Sequence, residues 1–317
     1  MGEFDFIQTY LAPLAGREGL GLLDDAALLS PPLGRDLVIT QDTMVEGVHF
    51  PSGQWGAGTA EKLLRVNLSD LAAKGATPWG YFLSLSLPRA MDERWLSGFA
   101  KGLEAGQQAF DWHVMGGDTT RIDGPLVISL TAIGTVPSGK MVKRSGASIG
   151  DIIYVTGTIG DAMLGLDLAM GRAVIPVSGQ GLMVWEEAYQ RPEPRLFIRK
   201  WLRDNASASI DVSDGLLADA QHIASASNVG LTLNLSDIHF SAPTREWAMA
   251  QDDPQAAMVR LITAGDDYEI LFTSAANVTS INSVSVTAIG IVTAEGSKLL
   301  SPNGVDITPA QTGYRHF

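Results

Sequence analysis

The chain has 317 residues, 45% hydrophobic and 18% charged, a composition ordinary for a globular protein and unlike a disordered one. Its length points to two domains and to a core large enough to fold without a disulfide or a structural metal. The absence of cysteine excludes disulfide scaffolds, thiol nucleophiles, Fe–S clusters and thiolate zinc sites. A net charge of −13, from 22 basic and 35 acidic side chains, disfavours sequence-independent nucleic-acid binding. The opening Met1-Gly2-Glu3-Phe4-Asp5-Phe6 has no cationic stretch before an apolar run, and no stretch of about 18 apolar residues occurs. The expectation is a cytoplasmic protein with no membrane partner.

In chain order, residues 36–40 read as a short strand ending at Asp42. A helix follows, with Thr59 able to cap it, Leu63, Leu64, Leu68, Leu71 and Ala72 on one face, and a stop near Gly75. Leu83, Leu85 and Leu87 alternate with serines at the period of a half-buried strand. Trp95, Phe99, Leu103 and Phe110 recur at helical spacing and form a core stripe. Residues 126–136 are a further strand. The basic, glycine-flanked residues 139–146 mark a domain boundary, giving domains 1–145 and 146–317. Beyond it, strands are expected at 151–156, 231–235, 268–273 and 286–292, with another leading into Asp211. Helices are expected at 161–170, 196–202 and 214–227. The mixture lacks strict βαβ regularity and points to two domains of α+β type.

Aspartates outnumber glutamates 23 to 12. They recur at strand ends and glycine turns: Asp24-Asp25, Asp42, Gly116-Gly117-Asp118, Asp211-Val212-Ser213-Asp214-Gly215 and Gly265-Asp266-Asp267, with Asp70 on a helix face shared by Asn67 and Lys74. Each alone reads as a turn or cap. Convergent carboxylates repel one another unless cations lie between them. Oxygen donors of this kind suit Mg²⁺ held jointly with phosphate.

Familiar phosphate loops are missing: there is no Walker A sequence, no strand-linked Gly-x-Gly-x-x-Gly, and no protein-kinase signature. The glycine-rich residues 16–21 read equally as a mobile loop or a phosphate cover. No His-Glu-x-x-His or Gly-x-Ser-x-Gly pattern occurs. His113 and His239 read as satisfied core or edge residues and His222 as a packing residue, leaving His49 as a candidate substrate contact. Structural Ca²⁺ binding finds no Asp-x-Asp-x-Asp-Gly loop to support it.

In the order in which they occur, these motifs resemble the thiamine-monophosphate kinase family, of the superfamily that includes aminoimidazole ribonucleotide synthetase. The resemblance rests on Leu23-Asp24-Asp25-Ala26-Ala27, Thr40-Gln41-Asp42-Thr43-Met44-Val45-Glu46-Gly47-Val48-His49-Phe50 and Val66-Asn67-Leu68-Ser69-Asp70-Leu71. It continues through Gly116-Gly117-Asp118-Thr119-Thr120-Arg121, Lys143-Arg144-Ser145-Gly146-Ala147, Asp211-Val212-Ser213-Asp214-Gly215-Leu216 and Ala264-Gly265-Asp266-Asp267-Tyr268-Glu269. It implies ATP-dependent phosphorylation of thiamine monophosphate, assisted by several Mg²⁺ ions and without a catalytic side-chain base. It also implies an N-terminal α+β domain that dimerises through its sheet and a C-terminal α/β domain. The implied metal ligands are Asp25, Thr40, Gln41, Asp42, Asp70, Asp118, Asp211 and Asp214. Gly117, Asp118, Arg144 and Ser213 are implied for ATP, and His49, Asp266 and Tyr314 for the thiamine substrate. The chain departs from the family pattern at Leu23, at Gln41 and at Asp266, whose arm is one methylene shorter than the usual glutamate. The sister selenophosphate synthetases normally use an N-terminal cysteine or selenocysteine, and this chain has no cysteine.

Overall fold

The computed structural model describes residues 3–53, 56–172 and 179–314; Met1 and Gly2 lie outside them. The chain divides into two compact units, Met1–Leu71 with Ala76–Gly139, and Ala72–Gly75 with Lys140–Phe317.

In the first unit a short α1 (Glu3–Phe6) runs on into irregular helical turns that end at Leu22. Then come β1 (Arg35–Val45), α2 (Gly56–Ala73), β2 (Thr77–Pro88), α3 (Glu93–Phe110), β3 (His113–Ile122) and β4 (Val127–Pro137). The sheet order is β1-β4-β2-β3. Only β2 and β3 run parallel, and α3 supplies the crossover that a parallel pair needs. Two expectations change. The first strand does not end at Asp42 but passes through it to Val45. Gly116-Gly117-Asp118 is not a turn but lies inside β3. There Gly117 pairs with Leu83, and a Cβ on it would stand 1.8 Å from the Leu83 carbonyl oxygen. The glycine serves strand approach, a use that a turn signal does not reveal.

The alternation of β1 positions the site. Val38 and Met44 are buried, and Ile39 is 60% exposed. With a period of two, Thr40 and Asp42 share the face of Val38 and Met44, and Gln41 shares that of Ile39. The buried faces of α2 (Leu63, Leu64, Leu68, Leu71) and α3 (Leu96, Phe99, Leu103) complete the core, as their periodicity predicts. The two helices pack closely at Gly102, where a Cβ would lie 2.2 Å from the backbone oxygen of Ala57.

The second unit contains β5 (Ile152–Thr156), α4 (Asp161–Ala169), α5 (Gly179–Gln190), α6 (Arg199–Asn205), β6 (Ala208–Asp211), α7 (Leu216–Ser227), β7 (Gly230–Asn234), α8 (Ala242–Met249), α9 (Pro254–Ile262), β8 (Ile270–Ser274), β9 (Ser280–Ile281), β10 (Val284–Thr293) and β11 (Ser297–Leu300). The sheet runs β11-β7-β10-β5-β8-β6, with β9 on β10. Only β7 and β11 pair in parallel. The two-domain organisation of α+β type thus matches the reading of the elements. Helices α8 and α9 escaped that reading although their caps are legible. Ser241 accepts from the Thr244 amide and Asp253 from the Ala256 amide, with a proline in each first turn.

A buried ion pair braces this unit. Arg195 grips both carboxylate oxygens of Glu269, with Nε donating at 2.7 Å, and the Thr156 hydroxyl donates to Glu269 at 2.5 Å. Breaking a buried pair from one side strands the remaining charge. Arg195→Met is therefore expected to destabilise the protein by about 3–5 kcal/mol in denaturant unfolding. Adding Glu269→Gln to that variant should recover part of the loss. Gly102→Ala should cost about 1–3 kcal/mol by the same measurement, because the obstructing atom is backbone and cannot rotate away.

Candidate active site

In the first unit, the loop carrying Asp24 and Asp25 faces β3 and β1 across a cleft of about 480 Å³. Asp25, Gln41, Gly117 and Asp118 all line it, together with Met115 and Ser84. Strand parity sends the other expected ligands to the opposite face of β1. There the Thr40 hydroxyl donates to Asp70 Oδ2 at 2.5 Å, and the Asp42 amide donates to Asn67 Oδ1 at 3.2 Å. Asn67 is fully buried and fixed by its Nδ2 donating to the Leu63 carbonyl at 2.9 Å. The helix face of Asn67 and Asp70 thus meets β1, as their spacing allows. The Gln41 carboxamide oxygen accepts from Thr131 Oγ1 at 3.3 Å, across the pair of β1 and β4. His49 Nδ1 accepts the Val45 amide at 3.0 Å, which leaves the ring proton on Nε2.

Residues 16–21 border the same cleft through Gly19, and the turn continues to Leu22. They are not a slack glycine loop. The Gly16 amide donates to the Val114 carbonyl at 3.0 Å, and Gly19 packs on the backbone of Met115. The Glu18 carboxylate joins Trp79 Nε1 at 3.2 Å and His113 Nε2 at 3.0 Å. Burial alone would raise the Glu18 carboxyl, but the bonds from His113, its own backbone and Trp79 together hold it below its ordinary value. The expectation that His113 is a satisfied residue agrees with this tether. His222, expected to pack, is instead exposed, and so is His239, expected as a satisfied core or edge residue.

In the second unit, residues 211–215 leave the end of β6 and enter α7. The amides of Ser213, Asp214 and Gly215 all donate to Asp219 Oδ2, at 3.0, 3.1 and 3.2 Å. The carbonyls of the same loop point elsewhere. Ser213 O accepts the Asp266 amide, Val212 O the Tyr268 amide and Asp214 O the Tyr314 amide, each at 2.8 Å. Five expected residues, Asp211, Ser213, Asp214, Asp266 and Tyr314, are thereby brought onto adjoining backbone. The loop bearing Asp266 is tightly wound: Gly265, Asp266 and Tyr268 are all left-handed, and Gly265 has no room for a Cβ against the Ser213 carbonyl. Helix α7 starts at Leu216 with Gly215 as its cap, so Asp214 does not take the capping role its position allows.

Asp219 was not anticipated. It is 1% exposed. Burial first, and then the charge of Asp214, push its carboxyl up to about 7, against the pull of the three amides. Its only sequence signal is an acid in the first turns of a helix that follows a motif loop. Asp214, Asp219 and His222 each offer a ligand atom, all within 4.8 Å of one another. The donor sets in both units are dominated by carboxylate and hydroxyl oxygens, and the unfavourable burial of the Asp219 charge beside Asp214 is what a cation would relieve. The residues present fit Mg²⁺. The Arg144 carbonyl accepts from Ser227 Oγ at 3.3 Å near the end of α7, and the preceding Lys143 carbonyl accepts the Ser209 amide at 2.9 Å in β6, the strand that ends at Asp211.

Residues 23–136 match the family described as AIR synthase related protein, N-terminal domain. A thiamine-monophosphate kinase of Caulobacter vibrioides is 41% identical over 323 aligned positions, which cover 99% of this chain and 90% of that protein. The structure of thiamine-monophosphate kinase from Stenotrophomonas maltophilia aligns with a TM-score of 0.77 at 38% identity, covering 88% of this chain and 89% of that one. The structure of AaThiL complexed with AMPPCP and TMP aligns with a TM-score of 0.79 at 28% identity, covering 100% and 97%. With similarity running from end to end and through both units, the chain belongs to the thiamine-monophosphate kinase family.

Proposed function

We propose that this protein is a thiamine-phosphate kinase, transferring the terminal phosphoryl group of ATP to thiamine monophosphate to form thiamine diphosphate. The observation that carries this reading is the placement of the family's motif residues. Asp25, Gly117 and Asp118 line one cleft, and Ser213, Asp214, Asp266 and Tyr314 sit on backbone segments hydrogen-bonded to each other. The whole-chain similarity to named kinases, one of them solved with an ATP analogue, supports it.

In this reading the N-terminal domain, 1–145, supplies Asp25, Thr40, Asp42, Asp70 and Asp118, with the Gln41 backbone, as metal ligands. The C-terminal domain, 146–317, supplies Asp211 and Asp214 to the same reaction. Bound Mg²⁺ contributes positive charge that offsets the repulsion between two phosphate groups. Gly117 is an ATP contact, with Asp118, Arg144 and Ser213 as further contacts. His49 offers Nε2–H to the thiamine substrate, and Asp266 and Tyr314 hold it from the second unit. The acceptor is a phosphate oxygen, whose second pKa of about 6 leaves it anionic at neutral pH. No side chain has to remove a proton. A bond forms from that oxygen to the γ-phosphorus, the bond to the β–γ bridging oxygen breaks, and its electron pair leaves with ADP. The protein's task is alignment and charge stabilisation. The outward face of β1, with Leu37 and Ile39 exposed, supports a homodimer formed through the N-terminal sheet. A cytoplasmic location and no nucleic-acid partner complete the reading. Among the described residues no helix is long and apolar enough to cross a membrane.

The direct test supplies ATP, Mg²⁺ and thiamine monophosphate and reads thiamine diphosphate by chromatography. Product should form and vanish with chelator, and free thiamine should be a very poor acceptor; efficient phosphorylation of thiamine would overturn the base-free mechanism. Asp118→Asn and Asp214→Asn should each lower kcat about a hundredfold or more with the fold retained by circular dichroism. His49→Gln should raise KM for thiamine monophosphate more than it lowers kcat.

A further inference from the structure

The loop 213–215 presents three successive amide hydrogens to a single point. Converging amides of this kind are how backbones bind anions, phosphate included. Here the place is already taken by the chain's own carboxylate, Asp219 Oδ2, at 3.0–3.2 Å from all three nitrogens. The other side of the loop is equally committed, because Ser213 O and Asp214 O accept the amides of Asp266 and Tyr314. Gly215, at φ +125°, has no space for a Cβ against the backbone of Thr263, so the loop cannot relax in that direction. Asp219 itself is locked in the first turns of α7 by its own amide donating to Gly215 O at 2.9 Å.

We propose that Asp219 is a positioning residue for phosphoryl transfer, holding the amides of Ser213, Asp214 and Gly215 so that the loop presents the Asp214 carboxylate to a cation and offers no amides of its own to phosphate. This rests on the kinase reading above and deepens it. An anion nest filled from within changes the chemistry of the loop. With its amides spent on Asp219, the loop keeps a second carboxylate, Asp214, as its charged group. The site is therefore selective for a divalent cation, and phosphate reaches it only together with that cation. The same carboxylate sets the register of Asp266 and Tyr314, since both hang from carbonyls of the loop it holds.

Asp219→Ala removes the acceptor of all three amides, whereas Asp219→Asn is close to isosteric and keeps an oxygen able to accept them. At saturating ATP, Asp219→Ala, with its fold checked by circular dichroism, should raise the half-saturating Mg²⁺ concentration about tenfold or more, with a smaller fall in kcat once Mg²⁺ saturates, and Asp219→Asn should recover most of that shift. Asp167→Asn is the control. Asp167 is also a buried carboxylate, in α4, and pairs with Arg172 and Arg260, neither of them in the loop. That variant should melt at a lower temperature with the Mg²⁺ dependence unchanged. Wild-type Mg²⁺ dependence in Asp219→Ala, or an equal shift in Asp167→Asn, would overturn the proposal. A second measurement needs neither variant nor activity: amide hydrogen exchange on the native chain without Mg²⁺. The amides of Ser213, Asp214 and Gly215 should be protected, and unprotected exchange there would also overturn it. If the wild-type protein forms no thiamine diphosphate while these amides are protected, the kinase reading has failed and the geometry around Asp219 stands.

Discussion

Three amide hydrogens meeting on one buried carboxylate hold together the part of the second unit where its functional residues lie. Asp219 fixes the donor side of residues 213–215, and Asp266 and Tyr314 occupy the acceptor side. A loop with both sides of its backbone bonded has little freedom left. Residues from three distant stretches of chain, near positions 213, 266 and 314, are placed by one set of main-chain bonds. The left-handed residues 265, 266 and 268 are the steric cost of that compactness.

The first unit reaches its arrangement by other means. A single strand, β1, divides its functional residues by parity, sending Gln41 to the cleft of Asp25 and Asp118 and Thr40 and Asp42 to the side of Asp70. The helix α2 is indispensable here, because Asn67 and Asp70 stand one turn apart on the face it turns to β1. Close approach of strands at Gly117 and of helices at Gly102 keeps these distances short. The loop at the mouth of the cleft is secured by the Glu18 carboxylate, by the Gly16 amide on the Val114 carbonyl and by Gly19 against the Met115 backbone.

In the second unit carboxylates are placed where water cannot fully screen them: burial raises the proton affinity of Asp267 and of Asp219, the latter also through its neighbour Asp214. An acidic chain that is to bring phosphate groups together can do so only by recruiting cations. The absence of the usual phosphate loops and the abundance of aspartate are two sides of one design.

Much of this was determined by the sequence alone. The apolar spacing of α2 and α3 and the alternation of β2 follow from local periodicity, because burial on one face is a property of short range. The ordered motifs pointed to the family for a related reason: each keeps its own residues close in sequence. What local pattern could not decide was anything set by an approach between distant segments. Asp42 and Gly117 looked like strand ends and turns, yet they lie within strands whose pairing with β4 and β2 is visible only in three dimensions. His222 looked like a packing residue and proved exposed. Glu18 carried no signal in a glycine-rich loop, and Asp219 carried almost none. Their partners, Trp79 and His113 for one and a loop folded back over its own helix for the other, exist only once the backbone has closed. For Asp219 the donors are main-chain amides, which every sequence offers and only a particular fold aims at one point.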